Sequence, residues 1–487
     1  MTSMLPFGDY RPDLSAYQSP SSQLIQNVVP RADGYGPFAD FTAFTAALPA
    51  PCRGFFYARK TDGSIVVFAG TATKLYQLSN TDFSWTDVSK AGGSYTALPS
   101  SDHWQFAQFG NLVLAVQANS VPQVFDVTSS SAFADLGGSP PQARYIAVVG
   151  RFVVLSGLLS TPYRIQWSGL NGVTTWTSGV NSSDYQDLPD GGIVRGVAGG
   201  EFGNIFQDGS IRRMTFAPGS PFIFQIERIA EDRGLYAPYS LIRSGDKIFF
   251  LSANGFMWMA PSGYPAPIGK ERVDRTFLAD LDKGNLQLAI GASDPRNARV
   301  VWAYKSNSGA SGLFDRLLCY DYVLDRWSPV ATTGEYLGSL SQPGLTLENL
   351  DAISGSIDSF PTSFDAFATS VTPEIAAFNP NHVLGFFRGG NLEAVIDTGA
   401  QNADGRRVFV RGFRPITDAT TVFGSVLTAE RWPGPVSATP ESQMDALGLC
   451  PQRASTRYAR GRIRIPAGTI WSFARGLEPD VVLEGGR

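Results

Sequence analysis

RIQWSGLNGVTTWTSG (Arg164–Gly179) sets two tryptophans, Trp167 and Trp176, on either side of an Asn171-Gly172 pair. Paired aromatics around a tight turn serve either as a sugar-stacking platform or as the packed edge of a small β-sheet. An Asn-Gly pair flanked by strand-forming residues is a hairpin signal. The stretch therefore reads as two strands, with Trp167 ending the third of a unit and Trp176 in the fourth. Whether it binds or builds depends on whether the pattern recurs.

It recurs. An apolar strand, a Gly- or Asn-centred turn, a second apolar strand and a third with aromatics appear in RGFFYARKTDGSIVVFAGTATKLYQL (53–78) and HWQFAQFGNLVLAVQANSVPQVFDV (103–127). They return in ARYIAVVGRFVVLSG with YRIQWSG, in GIVRGVAGGEFGNIFQDGSIRRMTF, and in YSLIRSGDKIFFLSANGFMWMA. A sixth copy joins QLAIGASDPRNARVVWAYKS to FDRLLCYDYVLDRWSPV through a longer loop. The turns fall at Gly63, Gly110, Gly150, Gly203, Gly245 and Asn297, spaced by 47, 40, 53, 42 and 52 residues. A four-stranded propeller blade takes about 40–50 residues. The fold class expected is all-β: a β-propeller of six blades, or seven if the chain beyond Val330 adds one. Outer strands are expected at SWTDVS, TTWTSG and FIFQIERI. Trp85 and Trp327 then sit at outer-strand positions like that of Trp176, so the four tryptophans Trp85, Trp167, Trp176 and Trp327 read as structural packing residues.

Composition agrees. Of 487 residues 43% are hydrophobic, 17% charged and 12% aromatic, with 51 Gly and 32 Pro. That mixture suits many short strands and turns and leaves little room for disorder. One helical pattern stands out in GKERVDRTFLADLDKGNL, where Val273, Phe277, Leu278 and Leu281 share a face; it reads as a connection between the fifth and sixth units. The net charge of −4 excludes a surface that grips nucleic acid throughout. Cys52, Cys319 and Cys450 are odd in number and far apart, as suits buried thiols in a reducing compartment. The opening MTSMLPFGDYRPDLS has no basic segment followed by an apolar run, and no stretch approaches membrane-spanning length. A soluble chain made in the cytoplasm, with no membrane partner, is expected.

Catalytic constellations are missing from the pattern. His103 and His382 are the two histidines, too few for a His-based nucleophile site or a His-rich metal cluster. No Walker loop or HExxH motif occurs, and GVAGGEFGN (196–204) lacks the helix that a phosphate loop needs. The Asn171–Trp176 stretch is a near miss to the Asp-box of propeller sialidases, a structural turn in any case. Glu231 and Asp232 read as a solvated pair. The expectation is no enzyme, no cofactor and no metal.

The remaining segments divide the chain. Residues 1–50 precede the repeats, 51–330 form the propeller, and 331–405 read as a loop-rich insertion and hairpin, either a further blade or a tip. Within the last, Thr346–Asn381 is Ser-, Pro- and Phe-rich, and HVLGFFRGGNLEAVIDTG reads as a hairpin turning at Gly389-Gly390. Residues 406–487 carry further strands, including RYARGRIRI. There Arg460, Arg462 and Arg464 project to one side and Ile463 and Ile465 to the other. With Arg457 they form a candidate assembly or DNA-facing set, alternative to a plain solvated face.

These motifs, in this order, resemble the tail-nozzle proteins of short-tailed bacteriophages, called packaged-DNA stabilisation protein or tail tubular protein B. NVVPRADGYGPFADF, FAGTATKLYQL, RIQWSGLNGVTTW, QDGSIRRMTFAPGSPFIF, FLSANGFMWM, APIGKERVDRTFLADL and RYARGRIRIPAGTIWSFARGLE carry the resemblance across nearly the whole chain. It implies a propeller with an additional β-sandwich-like platform domain built from residues 1–50 and those after Arg406. It further implies a homohexameric ring in the virion tail, synthesised in the host cytoplasm. The implied partners are the portal adaptor, tail needle, fibre or spike proteins, and double-stranded DNA in transit. The competing reading is a carbohydrate-binding or hydrolysing propeller using Tyr35, Trp258 or Tyr264.

Overall fold

The structure is a computed structural model that describes residues 4–15, 21–220, 222–342, 372–403, 405–432 and 434–484. The Thr346–Asn381 loop expected from composition lies outside the described residues up to position 371.

Within the described residues seven four-stranded antiparallel sheets follow one another around a ring. Blade 1 consists of Phe55–Arg59, Ile65–Gly70, Leu75–Leu78 and Trp85–Asp87. Blades 2 to 6 span residues 105–135, 143–187, 194–231, 242–267 and 290–334. Blade 7 takes Tyr336–Leu340, Glu374–Phe378 and Val383–Asn391 from late in the chain, and its outermost strand, Ala39–Ala47, from the start. The inner strands of blades 7 and 1 lie side by side, so the ring closes.

The second strand of each blade explains why the sheets stack. It runs through the middle of a sheet with both faces covered, so Ile65–Gly70 and Phe152–Leu158 are buried at every position. Alternate residues then serve opposite neighbours. Val66 and Phe68 pack with Val113 and Ala115 of blade 2, while Ile65, Val67 and Ala69 pack with blade 7. Val153 and Leu155 turn to blade 2, and Phe152 and Val154 to blade 4. Each fully buried Val, Ile, Leu or Phe side chain among these contributes about 1.5–3 kcal/mol.

The opening stretch departs from the expected hairpin. Trp167 ends the strand Arg164–Trp167, but the fourth strand is Asp184–Asp187, and Trp176 lies in the long loop between them. Asn171 turns with φ 57°, inside that loop. Trp176 is 4% exposed, donates its Nε1–H to Val173 O (2.8 Å) and fills the core between blades 2 and 3. A buried loop carries apolar residues without strand pairing, which is why it looks like a strand in sequence. The loop also runs close beneath Gly138, whose φ is +82° and whose absent Cβ would lie 1.7 Å from Thr174 O.

The expected hairpin at Gly389-Gly390 is likewise replaced. Val383–Asn391 is one continuous strand of the propeller, with a register irregularity between Phe387 and Asn391 that takes up the glycines. Ala394–Asp397 belongs to a different sheet. The propeller thus extends past residue 330 to Asn391, and the chain leaves it there.

The rest forms a β-sandwich. One sheet orders Val28–Arg31, Gly34–Pro37, Ala474–Leu483, Val408–Thr417 and Cys450–Thr456, with Leu5–Pro6 added. The facing sheet orders Ile25–Gln26, Ala394–Asp397, Tyr458–Ile465, Phe423–Ala429 and Ser437–Ala438. Both ends of the chain therefore build it, around Phe7, Ile25, Val28, Val422, Ile463, Ile465 and Trp471. It is pinned to the outer strand of blade 6. The Asn27 N–H donates to Pro329 O (3.0 Å) and its side-chain oxygen accepts from Ala331 N–H (2.8 Å), while Arg326 stacks over Tyr35 and pairs with Asp9 at 2.8 Å.

The helical pattern between blades 5 and 6 yields a shorter helix, Asp274–Asp280. Val273, Phe277 and Leu281 enter the interblade core. Its cap comes from a distant residue: buried Asp13 accepts from Arg275 N–H (2.9 Å), Thr276 N–H (2.8 Å) and the Thr276 hydroxyl (2.7 Å). Asp13→Ala is expected to cost about 0.5–2 kcal/mol in urea unfolding, with Asp13→Asn losing less.

Asp274 accepts from Phe256 N–H at 3.0 Å, and burial lifts its carboxyl from 3.8 to about 6, with the nearby Asp13 adding to the rise. A carboxyl that holds its proton more tightly when folded loses stability as pH rises from 3.8 through about 6. Asp274→Asn should flatten that part of a melting-temperature profile and leave stability near neutrality equal or higher. A steeper profile in the variant contradicts this account.

Candidate functional site

The arginine strand is the first candidate. Tyr458–Ile465 pairs on both sides, and Ile463 and Ile465 point into the sandwich core. Arg462 opposes Asp397 in register and binds it through Nε (2.7 Å) and Nη2 (3.1 Å). Arg464 binds Glu441 (2.7 Å) and Glu393 (3.1 Å) and stacks over Phe423. The acidic groups opposite these two arginines therefore belong to the same chain. Arg460 meets Gln23 Oε1 at 3.5 Å, and burial lowers its pKa, opposed by Asp397. Arg457 is exposed. Of the four candidate positions, Arg457 and Arg460 are the ones without a carboxylate bond among the described residues.

The four tryptophans pack. Trp327 is 1% exposed between blades 5 and 6, Trp167 lies 5.1 Å from Phe224 of blade 4, and Trp176 fills the blade 2–3 core. Trp85 is half-buried on Phe378 of blade 7, with its Nε1–H on Ala46 O. Of the sugar-stacking candidates, Tyr35 is fully buried in the sandwich, Trp258 is partly buried, and Tyr264 is exposed.

The propeller axis is the second candidate. Inner strands surround a channel that holds two cavities of about 620 and 400 Å³, which share Tyr145, Pro238 and Tyr239 as a common wall. His103 stands there edge-on to Tyr239 (4.7 Å) and Tyr336 (5.0 Å). Its backbone N–H donates to the Tyr239 hydroxyl (2.9 Å), and its Nε2 lies 2.8 Å from Gln287 O, so Nε2 carries the proton. Burial, with Arg53 nearby, depresses the imidazole pKa to about 3, so the ring is neutral. Burial also raises the phenol pKa values of Tyr145, Tyr239 and Tyr336. Tyr145 and Tyr239 stand between the two cavities, and His103 and Tyr336 pack with Tyr239 in one uncharged aromatic cluster. No local sequence signal marks this cluster, because His103, Tyr145, Tyr239 and Tyr336 come from separate parts of the ring.

His382 sits at the ring closure. Its Nδ1 lies 2.5 Å from Glu335 Oε1, whose other oxygen accepts from Cys52 N–H at 2.9 Å. Burial raises the Glu335 pKa, countered by those partners. The group ties blade 7 to the entry of blade 1. Burial raises the pKa of all three thiols, those of Cys319 and Cys450 to about 12, so they make poor nucleophiles. Among the described residues no group of three His, Cys, Asp or Glu side chains is placed to hold a metal ion.

No family model matches the chain, and no curated protein does. Among solved structures it is similar to the extracellular domain of a putative hybrid two-component system from B. thetaiotaomicron, at 11% identity and TM-score 0.41. That match covers 78% of this chain and 44% of the other, so this chain spans under half its length. It is also similar to YCF48 bound to D1 peptide (14%, TM-score 0.37, 62% and 92% covered). A third is BamB from Moraxella catarrhalis (13%, TM-score 0.33, 65% and 88% covered). The strand pairing itself defines the class: an all-β protein made of a seven-bladed propeller and a sandwich.

Proposed function

We propose that the chain is a structural subunit of the tail nozzle of a short-tailed bacteriophage. Copies form a ring below the portal and its adaptor, retain packaged DNA and conduct it at ejection. The observation that carries this reading is the sandwich built from both ends of the chain and hung on the rim of a closed propeller, as the resemblance implies. The aromatic wall between the two cavities of the propeller axis fits as well, with DNA conducted through a lumen formed between copies. Arg462 and Arg464 are satisfied within the chain, which suits a wall that lets phosphates pass, because each retained phosphate contact slows transit. Arg457 and Arg460 remain for a neighbouring copy or the passing backbone.

The test is immuno-electron microscopy of particles from a culture that produces the chain, with and without its gene. Label on a short tail stub, and tailless or leaking particles on deletion, are expected. Intact particles free of label would overturn the reading and lead to a sugar-array screen with Trp258→Ala as control.

A further inference from the structure

The larger cavity of the propeller channel carries an excess of positive charge. Its floor is the Tyr145–Tyr239 wall. Two neighbouring inner strands each send an arginine to its side: Arg144 from blade 3 and Arg195 from blade 4. Each guanidinium is held by its Nε on a carboxylate, Arg144 on Asp102 (3.0 Å) and Arg195 on Asp208 (2.6 Å). Asp208 is itself fixed by the Ile193 N–H at 3.0 Å. Among the described residues these Nε contacts are the side-chain bonds of both arginines, so their Nη groups are without a partner, as is the ammonium of Lys283 on the same wall.

We infer that this cavity binds a small oxyanionic ligand, a carboxylate or phosphate carried on a sugar-sized ring, clamped by Arg144 and Arg195. Three cations against two carboxylates leave the site net positive, and a walled cleft focuses that field. An arginine locked through Nε presents its remaining N–H donors in a fixed fork, which matches a carboxylate or phosphate. The volume of about 620 Å³ lies within the small-ligand range of roughly 300–1,000 Å³. The tyrosine walls supply apolar faces with polar tips for the uncharged part of the ligand. Nothing in this inference depends on the nozzle reading.

The test is calorimetric titration of the full chain with glucuronic acid, glucose 1-phosphate and glucose. One or both acids should bind and weaken with added salt, and glucose should not bind; the acid that responds identifies the oxyanion. Arg195→Ala should weaken binding about tenfold or more, as expected for lost charge-assisted hydrogen bonds. Its partner Asp208 is 42% exposed, so the variant leaves no buried charge behind. Lys283→Ala, at an exposed position, should weaken binding less, and circular dichroism checks the fold of both variants. The inference is overturned if neither acid binds up to about 10 mM. It is equally overturned if glucose binds as well as glucuronic acid, or if both variants bind like the parent chain.

Discussion

Arg462→Ala is expected to destabilise the chain by about 3–5 kcal/mol near neutral pH and to recover part of that loss on acidification. The Asp397 side chain is 1% exposed, and the two Arg462 contacts are what keep its charge tolerable. Burial already raises the Asp397 pKa, with Arg462 and then Arg460 opposing the rise. Without Arg462 the opposition weakens and the folded pKa climbs further. A folded carboxyl with a raised pKa binds more protons than the unfolded one, so its stability contribution grows as pH falls through that pKa. Urea unfolding of variant and parent at about pH 7 and about pH 5 should therefore give a larger difference at the higher value. Equal differences at the two values would mean that the carboxylate is not the source of the loss. Arg462→Lys, which keeps the charge without the fork, should fall between them.

Trp302→Ala should produce a comparable loss, about 3–5 kcal/mol, with no pH dependence. Trp302 is 1% exposed on the central strand of blade 6, packed at 4.5 Å on Phe256 and 5.8 Å on Trp327. Its Nε1–H also serves Ser240 O at 2.9 Å, so truncation leaves both a cavity and a buried unpaired carbonyl. Trp85→Ala, at the half-buried rim, should lose only about 1–2 kcal/mol. A Trp302 variant no weaker than the Trp85 variant in thermal or urea unfolding would refute the interblade packing described above.

The repeat was legible because a propeller blade is local. Gly63, Gly110, Gly150 and Gly245 adopt positive φ at the turns where their spacing put them, and the period-2 pattern of each blade needs no distant partner. Trp176 reads as a strand residue because burial alone makes a position apolar, whether or not it is paired in a sheet. Gly389-Gly390 looked like a turn because a bulged strand and a hairpin use the same residue. The candidate sites were the least legible. Nothing local marks Asp397 as the partner of Arg462, 65 residues on. The aromatic cluster on the axis likewise joins His103 to Tyr239 across 136 residues. Such groups meet only when the ring closes.

That closure has a kinetic side. The Leu384 N–H finds the Thr45 hydroxyl across 339 residues, so the first propeller strand to leave the ribosome is among the last to be paired. Six blades can zip up from nearest-neighbour contacts while Ala39–Ala47 waits with an open edge. Final sealing is an intramolecular search in competition with any other chain whose Val383–Asn391 strand is equally bare. When nascent chains are dilute the ring seals on itself. When they are crowded, as on one message carrying many ribosomes, the same pairing can join two copies by strand exchange.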